Sequence, residues 1–198
     1  MRRWGLLLAC GLYLAACCPP GSVKTTVKLG LSAPFEGRYR DLGYEVLYAV
    51  RLAVRQRNEA GGVADRYLVE MVALNDFNTA KEAVEQARKM AVDPDVLAVL
   101  GGWSPQTATA ARPVYEQLGL AFVAPPTDWS AAGFPASGPV DPAFAAAYEA
   151  LSGGVPPGPA GAWAYEQAQR MLDAYTAAIL SQGEPSRSAV RSRLALSD

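Results

Sequence analysis

Chemistry needs reactive side chains in the right company, and this sequence offers few. Its 198 residues contain no histidine, which removes imidazole acid–base catalysis, histidine triads and most zinc sites. All three cysteines, Cys10, Cys17 and Cys18, fall in the first 18 residues. The body therefore has no thiol nucleophile, cysteine cluster or internal disulfide. No Gly-x-Gly-x-x-Gly and no Walker-type phosphate loop occurs. Gly102-Trp103-Ser104-Pro105-Gln106 lacks the last glycine of a nucleophile elbow, and no histidine is present to activate its serine. Carboxylates are scattered; Glu36, Asp76 and Asp128 are those near expected strand ends, and Asp76 reads as a loop or cap residue.

What remains is binding chemistry. Ser104 precedes Pro105 at a helix start, so its hydroxyl is expected to cap that helix. The same hydroxyl and the adjacent amides suit a carboxylate or another anion at the positive end of the helix. Thr127 and Asp128 follow the next expected strand and stand opposite Ser104. Trp103 is either core or the aromatic wall of a pocket.

These residues need a scaffold, and the hydrophobic pattern supplies one. Residues 96–100 (VLAVL) form a continuous apolar run between Pro94 and Gly101-Gly102, as in a strand buried on both faces. A helix is expected from Pro105 to about Leu118, ended by Gly119, and a strand at 120–124, ended by Pro125-Pro126. Upstream, 27–33 alternates as a strand. A helix over 42–59 buries Leu42, Val46, Leu47, Val50, Ala53 and Val54, leaving Glu45, Arg51, Arg55 and Arg57 on other faces. A second strand is expected at 67–74. Thr79 and Glu82 match a capping box, and Glu85 and Lys89 an outward i,i+4 pair, on a helix with Ala83, Val84, Ala87 and Met90 on its inner stripe. The alternation implies an α/β fold with a doubly wound parallel, Rossmann-like sheet and right-handed crossovers. Such sheets bind ligands at their carboxyl edge. Past Asp128, helices are expected at 143–151, 163–180 and 186–196, the last capped by Ser186, with a Gly/Pro loop at 152–161. Tyr165, Met171 and Tyr175 fall at helical spacing and read as core.

The composition is globular: 51% hydrophobic, 19% charged, formal net charge −1. That balance argues against a nucleic-acid partner, which needs a basic footprint. Arg2 and Arg3 followed by an apolar run from Trp4 to Leu14 read as a secretory signal. Leu14-Ala15-Ala16-Cys17 resembles a bacterial lipoprotein signal, which implies a signal peptide at 1–16, a lipid on Cys17 and a tether over 17–26.

Three stretches carry a wider resemblance: VKLGLSAPFEGRYRDLG, the Asn58-x-x-Gly61-Gly62-Val63 turn, and the 96–128 segment with its Gly101-x-x-Ser104 loop. Together they resemble the first lobe of type I periplasmic binding proteins, in the leucine/isoleucine/valine-binding branch that feeds ABC transporters. The 141–179 segment is similar to the late part of the same family that returns to that lobe. The resemblance implies a non-enzymatic, extracytoplasmic, membrane-anchored lipoprotein with no cofactor or metal. Its partners would be an amino acid or analogue and an ABC transporter permease. It also implies that Ser104 and the 124–128 loop, chiefly Thr127, hold the solute's carboxylate and ammonium, with Trp103 and Asp128 beside them. Two departures stand out. Pro105 and Pro126 remove two amide donors from the site. And 129–140 joins the two first-lobe pieces directly, so 27–198 is expected to be one lobe, a 27–128 core with returning helices over 141–198, lacking most of the second lobe.

The alternative is an interaction module, a lipoprotein that uses the uncovered sheet edge to pair with a protein or with itself as a homodimer. Phe35, Trp103, Phe122, Trp129 and Phe134 are the candidate apolar patch.

Overall fold

The computed structural model describes residues 24–126 and 140–196. Four strands, β1 (Thr25–Ala33), β2 (Tyr67–Asn75), β3 (Val96–Leu100) and β4 (Ala121–Val123), form one sheet in the order β2-β1-β3-β4. Every pairing is parallel. The helices are α1 (Arg40–Glu59), α2 (Ala80–Val92), α3 (Pro105–Gln117), α4 (Pro142–Ser152), α5 (Pro159–Gln182) and α6 (Arg187–Ala195), with a 3-10 turn at Gly37–Tyr39. β1 begins at Thr25, so the last two residues of the expected 17–26 tether are strand. Among the described residues, no helix is long and apolar enough to cross a membrane.

The chain steps from β1 outward to β2 and then returns across β1 to β3. Right-handed crossovers in opposite directions put their helices on opposite faces. Two cores result. On one face Leu29, Leu31 and Leu100 pack with Val46 and Val50 of α1 and with Met171, Leu172 and Tyr175 of α5. On the other, Val96 and Val99 pack with Ala87 and Met90 of α2 and Ala111 and Tyr115 of α3. β3 is buried along its whole length, which is why its sequence shows no alternation.

Local chemistry sets the helix ends. Asp141 caps α4 through Ala143 N–H at 2.9 Å, and Ser186 caps α6 through Ala189 N–H at 3.4 Å. Thr79 Oγ1 accepts from Glu82 N–H at 3.3 Å, but the reciprocal half of the expected box is absent: Thr79 N–H donates to Asp76 O at 2.9 Å. Glu85 pairs with Arg88 at 2.8 Å rather than with Lys89, using i,i+3 spacing in place of i,i+4.

The larger correction concerns α5, which starts at Pro159, inside the expected loop. Its N-cap, Gly158, has no side chain to offer. Glu45 of α1 supplies the acceptor instead, taking Gly161 N–H at 2.6 Å. Glu45 is therefore half-buried, and burial pushes its carboxyl up despite the amides of Gly161, Ala160 and Gly158 that hold it down.

Candidate functional site

A doubly wound sheet opens a crevice where neighbouring crossovers depart to opposite faces. Here that point lies between β1 and β3, at their carboxyl ends. The Gly101–Ser104 turn forms one wall. A side chain on Gly101 would bring its Cβ to 2.9 Å from Ser32 O, so β1 and this turn approach as closely as backbone permits. Gly102 holds φ +75° with Ala108 of α3 2.9 Å from where a Cβ would sit, so only glycine lets the helix begin this near the strand.

Ser104 caps α3 as expected, and with more bonds than a cap requires. Its Oγ accepts from Thr107 N–H at 3.4 Å and lies 3.0 Å from Thr107 Oγ1, while its own N–H donates to Thr107 Oγ1 at 3.1 Å. The threonine plays the part that Glu or Gln takes in the usual box. Pro105 has no N–H, and the Gln106 backbone N–H makes no hydrogen bond among the described residues. The helix start thus retains one first-turn donor beside a half-buried hydroxyl, at the positive end of a 13-residue helix.

The loop after β2 is sewn to both neighbours. Asn75 Oδ1 accepts from Phe35 N–H and from Phe77 N–H, each at 3.0 Å. Gln106 Nε2 donates to Asn78 O at 2.6 Å, tying this loop to α3. Asp76, 1% exposed, accepts from Asn78 N–H at 2.9 Å and from Ser32 Oγ at 3.2 Å. Burial pushes its carboxyl up, against those two bonds. Near it the buried Tyr115 hydroxyl has no hydrogen-bond partner among the described residues, and burial, then the Asp76 charge, raise its pKa steeply. Phe77 and Asn78 both adopt left-handed backbone, φ +49° and +55°, and the Phe77 ring stands 47% exposed at the rim.

Of the expected site residues, the structure brings Ser104 to the crevice. Trp103 takes the first of its two alternatives. It is 1% exposed and packs edge-on against Trp163, ring centroids 5.7 Å apart, so it is core rather than a pocket wall. Thr127 and Asp128 lie outside the described residues, as do Cys17, Trp129 and Phe134. Phe35 and Phe122 are half-buried, against Tyr44 and Tyr115 respectively, so the apolar patch expected from them is largely absorbed by packing. Asn75, Ser32 and Gln106 went unnoticed in the sequence. The Asn75-Asp76 turn pair after a strand was their one local sign. Among the described residues no group of three or more acidic, cysteine or histidine side chains is placed to hold a metal.

Comparison with known proteins agrees with this geometry. A family model described as periplasmic binding protein matches residues 26–140. Leu/Ile/Val-binding protein homolog 7 of Brucella melitensis biotype 1 is 28% identical over 122 residues, 62% of this chain and 29% of that protein. The chain thus aligns with under a third of that relative's length. A protein of Rhodospirillum rubrum assigned to a branched-chain amino acid ABC transporter superposes with a TM-score of 0.73 at 18% identity, covering 86% of this chain and 89% of that one. The substrate-binding protein LivJ of Streptococcus pneumoniae, solved with isoleucine, gives 0.70 at 13% identity, covering 86% and 88%. At these identities the structural likeness is one of fold.

Proposed function

The chain belongs to the periplasmic binding protein family, and we propose that it serves as the extracytoplasmic solute-binding lipoprotein of an ABC transporter, with one lobe in place of two. Its solute is a branched-chain amino acid or a related small amino acid, in keeping with the names of its relatives. The observation that carries this reading is the capped start of α3 at the sheet's crevice. Ser104 Oγ and the Gln106 amide offer neutral donors to a carboxylate, and the helix dipole favours the negative charge. Thr127 and Asp128, from the loop after β4, complete the site, Asp128 taking the ammonium. Cys17 carries the lipid that holds the protein on the membrane beside its permease.

One lobe encloses less of a small ligand than two, and enclosure is the source of affinity in such sites. A thermal-shift screen should therefore use amino acids at high millimolar concentration. A ligand held only by the folded state stabilises it by about 2.7 kcal/mol at a hundredfold excess over Kd. We expect a rise with leucine, isoleucine or valine that Ser104→Ala abolishes. A flat screen on the folded protein would overturn solute binding. Cys17→Ser should move the protein from the membrane to the soluble fraction.

A second reading, a homodimer through the same rim, is favoured by the exposed rings there: Phe77 at 47%, Tyr39 at 45% and Tyr44 at 39%. Size exclusion decides it, since a monomer at all concentrations would sink the dimer.

A further inference from the structure

Among the described residues no strand lies beyond β4, yet both helical layers run on past it. Between them is an open groove of about 510 Å³. α3 lines one side with Arg112 and Glu116, and α5 and α6 line the other with Trp163, Arg170 and Arg191. The floor is the outer edge of β4.

The pairing register says which backbone groups face the groove. Val123 O accepts from Gly101 N–H at 3.0 Å, and Val123 and Ala121 flank Val99 in the parallel ladder. Their peptide groups therefore turn toward β3. By alternation, Phe122 and Ala124 turn theirs outward. An edge strand with unspent donors and acceptors is a template for another strand.

Charge selects the kind of strand. Arg112 lies over the Phe122 ring, 5.5 Å from its centroid. Neither Arg112 nor Arg191 enters an ion pair among the described residues. Arg170 is held in place by Gln167 Oε1 and Leu194 O, each at 3.2 Å. Among the described residues Arg112 and Arg191 thus stand on opposite sides of the groove, with Glu116 as its lining carboxylate. A second copy related by a twofold axis would set arginine against arginine, which opposes self-pairing, whereas a segment rich in Asp and Glu complements the rim.

We propose that this groove takes an acidic, extended segment of a partner protein, added as a strand to β4, with its carboxylates on Arg112 and Arg191. The groove runs along the side of the sheet and reaches Ala124 and Pro126 at the start of the loop after β4, but the inference rests on the β4 edge and its arginines and not on solute binding.

The test is fluorescence anisotropy of the full chain with labelled peptides of about eight residues in which Glu alternates with Val and Thr. The control peptides carry Lys for Glu, or Pro at alternate positions. We expect saturable binding of the Glu peptides alone, weakened about tenfold by Arg112→Glu with Arg191→Glu and by added salt. Both arginines are exposed, so the double variant keeps its melting temperature, and the Arg→Lys pair retains binding. Amide exchange should slow at Phe122 and Ala124 on peptide addition. Absence of saturation to about 1 mM peptide, indifference to charge reversal, protection elsewhere, or a homodimer that buries this edge would each overturn the proposal.

Discussion

The two ends of the sheet are built in opposite ways. At the amino end, one side chain gathers three elements. Arg187, at the start of α6, donates through Nε to Val96 O at 2.9 Å, through both terminal nitrogens to Ala91 O at 3.2 Å, and through Nη2 to Asp93 O. Lys28 pairs with Asp93 at 2.7 Å, and the fully buried Tyr175 donates to Lys28 O at 3.1 Å. Charge-assisted bonds between distant residues use up the carbonyls there. At the carboxyl end the bonds to the turns are mostly between neutral groups, some local and some between loops, two consecutive residues hold left-handed backbone, and the buried Asp76 carboxylate is disfavoured by its surroundings. The first end is closed by its own chain. The second is held open as a shelf with polar groups to spare, the usual condition of a ligand edge.

If this contrast is right, cutting the closed end should cost most. Arg187→Ala removes a donor from three carbonyls at once, of which Asp93 O keeps the Val96 N–H at 3.2 Å, and we expect a loss of about 2–4 kcal/mol in urea unfolding. Arg187→Lys should recover less than half of it, because a single ammonium cannot match the fork of bonds. A loss below about 0.5 kcal/mol would mean that the amino end contributes no more than ordinary surface.

Glu45 lies between the extremes, a charge that caps α5 from another helix. Glu45→Ala should cost about 1–2 kcal/mol, as for a lost N-cap. Glu45→Gln keeps an acceptor and sheds a charge that burial disfavours, so its melting temperature should fall less. Equal losses in the two variants would show that charge, not the hydrogen bond, fixes the helix start.

The smallest effect, of opposite sign, is expected on the shelf. Asp76 has a folded-state pKa above its ordinary 3.8, so the native state prefers it protonated. Its favourable contribution is present at low pH and is lost as pH rises through the folded value. Asp76→Asn cannot ionise and keeps an acceptor for Asn78. It should be slightly the more stable protein at pH 7, with the advantage vanishing below about pH 4. Melting curves across that range check it. A less stable variant at pH 7 would mean that the bonds from Ser32 and Asn78 outweigh burial.

Much of the scaffold was legible because the signals are local. Ser104-Pro105, Asp141-Pro142 and Ser186 announce helix starts within a few residues, and the apolar run of β3 declares burial on both faces. The start of α5 was not legible. Gly158-Pro159 looks like loop until Glu45, 116 residues before Gly161, supplies the helix's acceptor. Trp103 stayed ambiguous for a similar reason, since its place in the core depends on Trp163 from the same distant helix. On the shelf, the cap of Ser104 was readable, whereas the bonds from Asn75 to Phe35 and from Gln106 to Asn78 depend on which loops the topology makes neighbours.

The sequence alone determined the order of strands and helices, most of their ends, and the absence of histidine and of body thiols. These follow from side-chain periodicity, capping groups and composition, which act within a turn or two of chain. Only the tertiary structure decided the strand order, the partners of Arg187 and Glu45, the burial of Asp76 and Trp103, and the arginine-lined edge of β4. Each of those depends on residues brought together from far along the chain, where contact is set by packing rather than by sequence distance.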